Sequence, residues 1–128
     1  MSQLALIIED DEDLASIFAE ALRGVGFEVE LVADGKMAQE RLNNGVPPFL
    51  ILLDMHLPHI SGADLLTNVI KRDERFAKSL VIITTADARM GEAYTEQVDF
   101  VMIKPISFVQ LRDLTSRLRL FRNQGRTR

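Results

Sequence analysis

Five short apolar runs recur along the chain, and longer segments with helical spacing of apolar residues separate them. The runs are Leu4–Ile8, Phe27–Val32, Phe49–Leu53, Leu80–Thr84 and Phe100–Ile103. Short runs bounded by polar or turn residues predict strands. The second run alternates apolar residues with glutamates, which is typical of an edge strand. The third is apolar throughout, as expected of a strand buried on both faces.

Helix boundaries are marked by capping residues and glycines. Asp13 is predicted to cap the first helix, and Gly24 and Gly26 are predicted to end it. Ser61 and Ser107 begin two later helices, each followed three positions on by a polar partner at capping-box spacing. The last helix is predicted to bury one stripe, formed by Leu111, Leu114, Leu118 and Phe121.

Regular alternation of strands and helices predicts an α/β fold with a parallel sheet and right-handed crossovers. Five strands favour a flavodoxin-like three-layer sandwich of strand order 2-1-3-4-5, with helices on both faces. In residues 86–99, Met90, Ala93, Tyr94 and Val98 permit a helix, but Gly91 and scattered polar residues weaken it, so the fourth helix is expected to be short or irregular. We expect one domain over residues 1–122 and a basic, flexible tail over 123–128.

Composition narrows the class of protein. The chain has 128 residues, no cysteine and a formal net charge of −4. This charge makes nucleic acid an unexpected partner, and no apolar run reaches the ~20 residues of a membrane span. We expect a cytoplasmic monomer or weak dimer without membrane contact. The arginines near the C-terminus are interpreted as a solvated face, the alternative being a site for an acidic partner or nucleic acid.

Polar side chains follow four of the predicted strands. Glu9 and Asp10 follow the first, Asp54 the third, Thr85 the fourth and Lys104 the fifth. Because the carboxyl ends of parallel strands share one edge of the sheet, these side chains should converge there. Clustered carboxylates repel one another unless a cation intervenes, and an all-oxygen ligand set favours Mg²⁺, with Mn²⁺ as a substitute.

Such a cluster suits phosphoryl transfer. A metal held by few protein ligands leaves coordination positions for phosphate oxygens, which Lys104 and Thr85 could also bind. Asp54, at the centre, could then act as a nucleophile and form an aspartyl phosphate.

Five motifs in order resemble the receiver domain of two-component response regulators, over roughly residues 3–122. They are IIEDDEDL at 7–14, ADG at 33–35, LLDMHLPHISG at 52–62, TTAD at 84–87 and IKPI at 103–106. One such motif would be weak evidence of the family, but five motifs in order and at nearly the family's spacing are specific evidence.

This resemblance implies a role for each acidic residue. Asp54 matches the phosphoryl acceptor of the family. Glu9 and Asp10 match its acidic metal-binding pair, with Asp10 the direct ligand and Glu9 acting partly through water. The backbone carbonyl of His56 matches a further metal ligand.

It also implies the switching residues. Thr85 matches the hydroxyl that moves onto the phosphoryl group, and Lys104 matches the lysine that pairs with it. Pro105 should follow a cis peptide bond. The side chains of His56 and Asp87 occupy positions that tune the lifetime of the phosphoryl group.

Two features depart from the family pattern. Thr85 and Lys104 are 19 positions apart, about three fewer than usual, and the shortfall falls in the predicted fourth helix. The aromatic residue often found three positions before the lysine is replaced by Val101, with Phe100 beside it. We therefore hypothesise a short or disordered fourth helix and switching with little aromatic contribution.

The expected function is that of a phosphoacceptor domain rather than a turnover enzyme. Asp54 would receive a phosphoryl group from a histidine kinase or phosphotransfer protein and would control a downstream protein. One alternative is a docking module of the same fold that is not phosphorylated. Another is a phosphatase of the haloacid dehalogenase type, although His56 stands where that class needs a second aspartate.

Overall fold

The computed structural model describes residues 3–126 and the side chains up to residue 121. Five strands form a single all-parallel sheet of order β2-β1-β3-β4-β5. They are β1 (Leu4–Ile8), β2 (Glu28–Val32), β3 (Leu50–Asp54), β4 (Leu80–Thr85) and β5 (Phe100–Ile103). This confirms the predicted flavodoxin-like order, and each strand lies within one residue of its predicted bounds.

Helices cover both faces of this sheet. They are α1 (Glu12–Val25), α2 (Gly35–Asn44), α3 (Gly62–Leu65, continued by the π-helical turn Leu66–Ile70), α4 (Ala88–Tyr94, continued by the 3₁₀ turn Thr95–Gln97) and α5 (Phe108–Arg126). A further 3₁₀ turn, Glu74–Phe76, precedes β4. The seven residues of α4 confirm the prediction of a short fourth helix.

Two hydrophobic layers flank the sheet, because successive strand residues point to opposite faces. In β1, Leu6 and Ile8 pack with α2 and α3, whereas Ala5 and Ile7 pack with α1 and α5. Every residue of β3 is buried, as its apolar sequence up to Leu53 predicts, and the burial includes Asp54 at its carboxyl end. β3 is therefore a rigid central support for whatever follows its carboxyl end.

Two local predictions were wrong. The cap of α1 is Asp11 rather than Asp13, since the Asp11 carboxylate accepts the backbone N–H groups of Asp13 and Leu14. Phe121, predicted to be buried, is 77% exposed, because α5 continues past the layer in which Leu111 and Leu114 are buried. The capping box of α5 is confirmed by reciprocal hydrogen bonds between Ser107 and Gln110.

Arg112 and Arg117 are exposed, as the predicted solvated face requires, but Arg119 is not part of such a face. Arg119 donates hydrogen bonds to the Gln3 side chain and to the Val25 carbonyl, over 2.7 and 2.6 Å, and lies over the ring of Phe27. It therefore ties α5 to the end of α1 and to the residue that precedes β1. The backbone is helical through Arg126, and the rest of the predicted flexible tail, 127–128, lies outside the described residues.

Within residues 3–126, no helix combines the length and the apolar character that crossing a membrane requires.

Candidate functional site at the carboxyl edge of the sheet

Strand register brings the predicted residues to one edge. Ile8 of β1 pairs with Leu53 of β3, so Glu9 and Asp54 are the next residues on neighbouring strands. Asp54 pairs in turn with Thr84 of β4. Thr85 pairs with Ile103 of β5, and Lys104 follows. Residues from four strands thus meet at a site that no single motif could form.

Three carboxylates form an acidic cluster at this edge, made of Glu9, Asp10 and Asp54. One oxygen from each lies within 4.8 Å of the others. Glu9 and Asp54 are only 3% and 2% exposed, whereas Asp10 is open to solvent. All the donors are hard oxygen atoms, a set that suits a divalent cation such as Mg²⁺.

Lys104 is the counter-charge of the two buried carboxylates. Its Nζ lies 3.0 Å from Oε1 of Glu9 and 3.4 Å from Oδ2 of Asp54. Burial lowers the pKa of the Lys104 ammonium. The hydrogen bond to Glu9 and the negative charges of Asp54 and Glu9 raise this pKa by more than burial lowers it, so the net shift is upward. Lys104 therefore stays protonated throughout the physiological range.

Glu9 has a strongly raised pKa of about 7, compared with an ordinary value of 4.5. Burial of the carboxyl group is the main cause, followed by its hydrogen bond with Asp54. The ammonium group of Lys104 and the backbone N–H of Asp11 lower the pKa but do not offset these effects. Glu9 is therefore about half protonated near pH 7.

Glycines shape the loop that follows Asp54. A Cβ at Gly62 would collide with the carbonyl oxygen of Asp54, and one at Gly35 would collide with that of Ile60. The Gly35 N–H also donates to the carbonyl of Pro58. The 33–35 motif thus packs against the β3–α3 loop, a role that spacing along the chain did not reveal.

Thr85 is completely buried, and its hydroxyl has three neighbours. Its Oγ1 accepts the backbone N–H of Asp87 over 3.0 Å. It lies 3.4 Å from Nε2 of His56 and 4.0 Å from the sulfur of Met90. Asp87 also caps α4 with its side chain, so the hydroxyl connects the site to the start of that helix.

β5 ends in a cis peptide bond between Lys104 and Pro105. Val101, at the predicted aromatic position, faces α4 and lies close to Gly91. Phe100 is the preceding strand residue and so projects from the opposite face. The neighbouring aromatic side chain therefore does not replace the one missing at position 101.

Comparison with known proteins agrees with this architecture. The response regulator receiver domain family matches residues 5–116. The probable methanogenesis regulatory protein FilR2 of Methanothrix harundinacea is 34% identical over 119 residues, covering 85% of this chain and 76% of that protein. Sensory transduction protein RegX3 of Mycobacterium bovis is 30% identical, covering 94% of this chain but only 51% of RegX3.

Solved structures show the same fold. A putative response regulator from Chloroflexus aurantiacus superposes with a TM-score of 0.81 at 23% identity, over 92% of this chain and 98% of that one. The fold and the charged strand-edge site thus define an α/β protein of the CheY-like class. The chain belongs to the response regulator receiver domain family. It is a phosphoacceptor domain of two-component signalling and not a turnover enzyme.

Proposed function

We propose that Asp54 is the phosphoryl acceptor and that Glu9, Asp10, Asp54 and the carbonyl of His56 hold a Mg²⁺ or Mn²⁺ ion beside it. The observation that carries this proposal is the buried Asp54 carboxylate, which lies within 4.8 Å of two further carboxylates and 3.4 Å from the Lys104 ammonium. A bound divalent cation would neutralise charge on the phosphoryl oxygens.

Phosphoryl transfer depends mainly on positioning the reacting groups and on stabilising their charge. A carboxylate oxygen of Asp54 forms the new O–P bond while the bond from phosphorus to the donor's imidazole nitrogen breaks, and that nitrogen takes up a proton. The backbone N–H of His56 donates to Oδ1 of Asp54 over 3.1 Å and so orients the carboxylate. Lys104 stabilises the negative charge that reaches the site, and Thr85 binds a phosphoryl oxygen.

The donor we propose is the phosphohistidine of a sensor histidine kinase or phosphotransfer protein, and the readout is contact with a downstream protein. Membership of the receiver family supports both proposals. The charge added at Asp54 biases a two-state equilibrium of Thr85 and α4. His56 and Asp87, which both contact the Thr85 hydroxyl, adjust the lifetime of the phosphorylated state.

The test is incubation with Mg²⁺ and acetyl phosphate, followed by intact mass measurement. We expect a gain of ~80 Da, the mass of one phosphoryl group, that is lost in Asp54→Asn. A matched control is Asp64→Asn, which alters an aspartate on the exposed surface of α3. Labelling that persists in Asp54→Asn would contradict the assignment, and no labelling by acetyl phosphate or any kinase would favour a docking module.

A further inference from the structure

His56 contacts both the proposed acceptor and the proposed switch hydroxyl. Its backbone N–H donates to Oδ1 of Asp54, and Nε2 of its ring lies 3.4 Å from Oγ1 of Thr85. The two contacts come from different parts of one residue. A movement of either Asp54 or Thr85 therefore alters a contact of His56.

The Thr85 hydroxyl has partners for both its oxygen and its hydrogen in this arrangement. Its oxygen already accepts the N–H of Asp87, and its single hydrogen can serve either the ring of His56 or the sulfur of Met90. A ring nitrogen is the stronger acceptor of the two. If Nε2 of His56 carries the hydrogen and donates it to Oγ1 of Thr85, the hydrogen bond still joins these two atoms. In either tautomer, moving the hydroxyl breaks its contact with His56.

We propose that the His56 side chain is a positioning residue that holds the Thr85 hydroxyl in its resting place, in competition with the phosphoryl group. This inference rests on the proposed function, in which Thr85 binds a phosphoryl oxygen. If the ring accepts, the one hydrogen of the hydroxyl cannot serve both His56 and the phosphoryl group; if the ring donates, the contact is lost when the hydroxyl moves onto the phosphoryl group. The ring of His56 is exposed, so water replaces the lost contact and keeps the switch easy to reverse.

Beryllofluoride, a mimic of the phosphoryl group, provides the binding test. Loss of the resting contact in His56→Leu should tighten beryllofluoride binding about two- to tenfold, the worth of one hydrogen bond. His56→Gln, whose amide can reach the same hydroxyl, should restore the wild-type affinity. In a Thr85→Val background, His56→Leu should have no further effect. His59→Asn is the matched control, since Asn tolerates the left-handed backbone of His59, with φ of 71°.

The χ1 coupling constants of Thr85, measured by NMR, separate this inference from the proposed function, because they are read without metal or beryllofluoride. They report the rotamer of the Thr85 side chain and do not depend on the ring current that is lost with the imidazole. His56→Leu should change these couplings, and His56→Gln should keep the wild-type values. Unchanged couplings in His56→Leu overturn the inference, even if acetyl phosphate labels Asp54 normally. Failure of beryllofluoride to bind any variant would overturn the proposed function, and the couplings would then decide the resting contact alone.

Discussion

The ammonium group of Lys104 donates a 3.0 Å hydrogen bond to the carboxylate of Glu9, which lies 95 positions earlier in the chain. The same nitrogen is 3.4 Å from Asp54. One cation thus partly neutralises two buried carboxylates, and the stability of the fold becomes linked to the charge state of the site.

Replacing Lys104 with methionine should destabilise the fold in a pH-dependent way. At pH 8 the two buried carboxylates lose their counter-charge, and we expect a loss of about 2–4 kcal/mol. At pH 6 the loss should be smaller, because Glu9 can take up a proton. Urea unfolding without divalent metal at both pH values measures this, with the exposed Lys36→Met as control. Equal losses at the two pH values would contradict it.

The raised pKa of Glu9 predicts the sign of the pH dependence. Because its pKa is about 7 in the folded protein and 4.5 when unperturbed, the folded state binds the proton more tightly. The resulting stability is complete below about pH 4.5 and is lost as the pH rises through 7, up to about 3 kcal/mol. Adding Mg²⁺ should reverse the loss.

Glu9→Gln isolates this contribution. The difference in urea midpoint between the wild type and Glu9→Gln, followed from pH 5 to 8 without metal, should change across this window. The exposed Glu12→Gln should parallel the wild type. Parallel curves for Glu9→Gln and the wild type would show that Glu9 is ionised at every pH tested.

Alanine substitutions at two glycines should have opposite effects. Gly62→Ala places a Cβ against the carbonyl oxygen of Asp54, so we expect a loss of at least about 2 kcal/mol and slower labelling by acetyl phosphate. Gly24, inside α1, has no atom within 4 Å of an added Cβ. Gly24→Ala should therefore stabilise the fold by about 0.5–1 kcal/mol. Thermal unfolding of both variants tests the pair, and a neutral Gly62→Ala would refute the close approach.

Amide exchange should be faster in α4 than in α1. Among the seven residues of α4 only Gly91 is buried, whereas α1 buries five of its side chains, including Phe18 and Leu22. Few buried contacts permit local opening below the cost of global unfolding. We expect weak protection across residues 86–99 that changes when beryllofluoride binds. Firm protection with and without the mimic would be incompatible with a short, adjustable helix.

The clamp formed by Arg119 should contribute measurably to stability. Arg119→Met removes hydrogen bonds to Gln3 and Val25 and the contact with the Phe27 ring, for an expected loss of about 1–3 kcal/mol. Arg117→Met, on the exposed side of the same helix, is the matched control. Urea unfolding measures the loss of stability in each variant. Equal losses in Arg119→Met and Arg117→Met would mean that the contacts of Arg119 do not stabilise the fold.

Much of this protein was determined by local sequence. Apolar runs predicted the five strands, because a strand buried on both faces must be mainly apolar, as Leu50–Leu53 of β3 is. Their order was predicted from the alternation of strands and helices. The site residues Glu9, Asp54, Thr85 and Lys104 were predictable as a group, because parallel strands bring their carboxyl ends to one edge. The capping box at Ser107 was also predictable from the sequence, since its hydrogen bonds join residues only three positions apart.

Tertiary structure decided what depends on contacts between distant segments. The packing of Gly35 against the loop after Asp54, and the clamp of Arg119 on α1, join segments whose approach has no local signature. The pairing of Lys104 with Glu9 likewise became visible only when strand register placed them together, because electrostatic and hydrogen-bond energies depend on distance in space rather than along the chain.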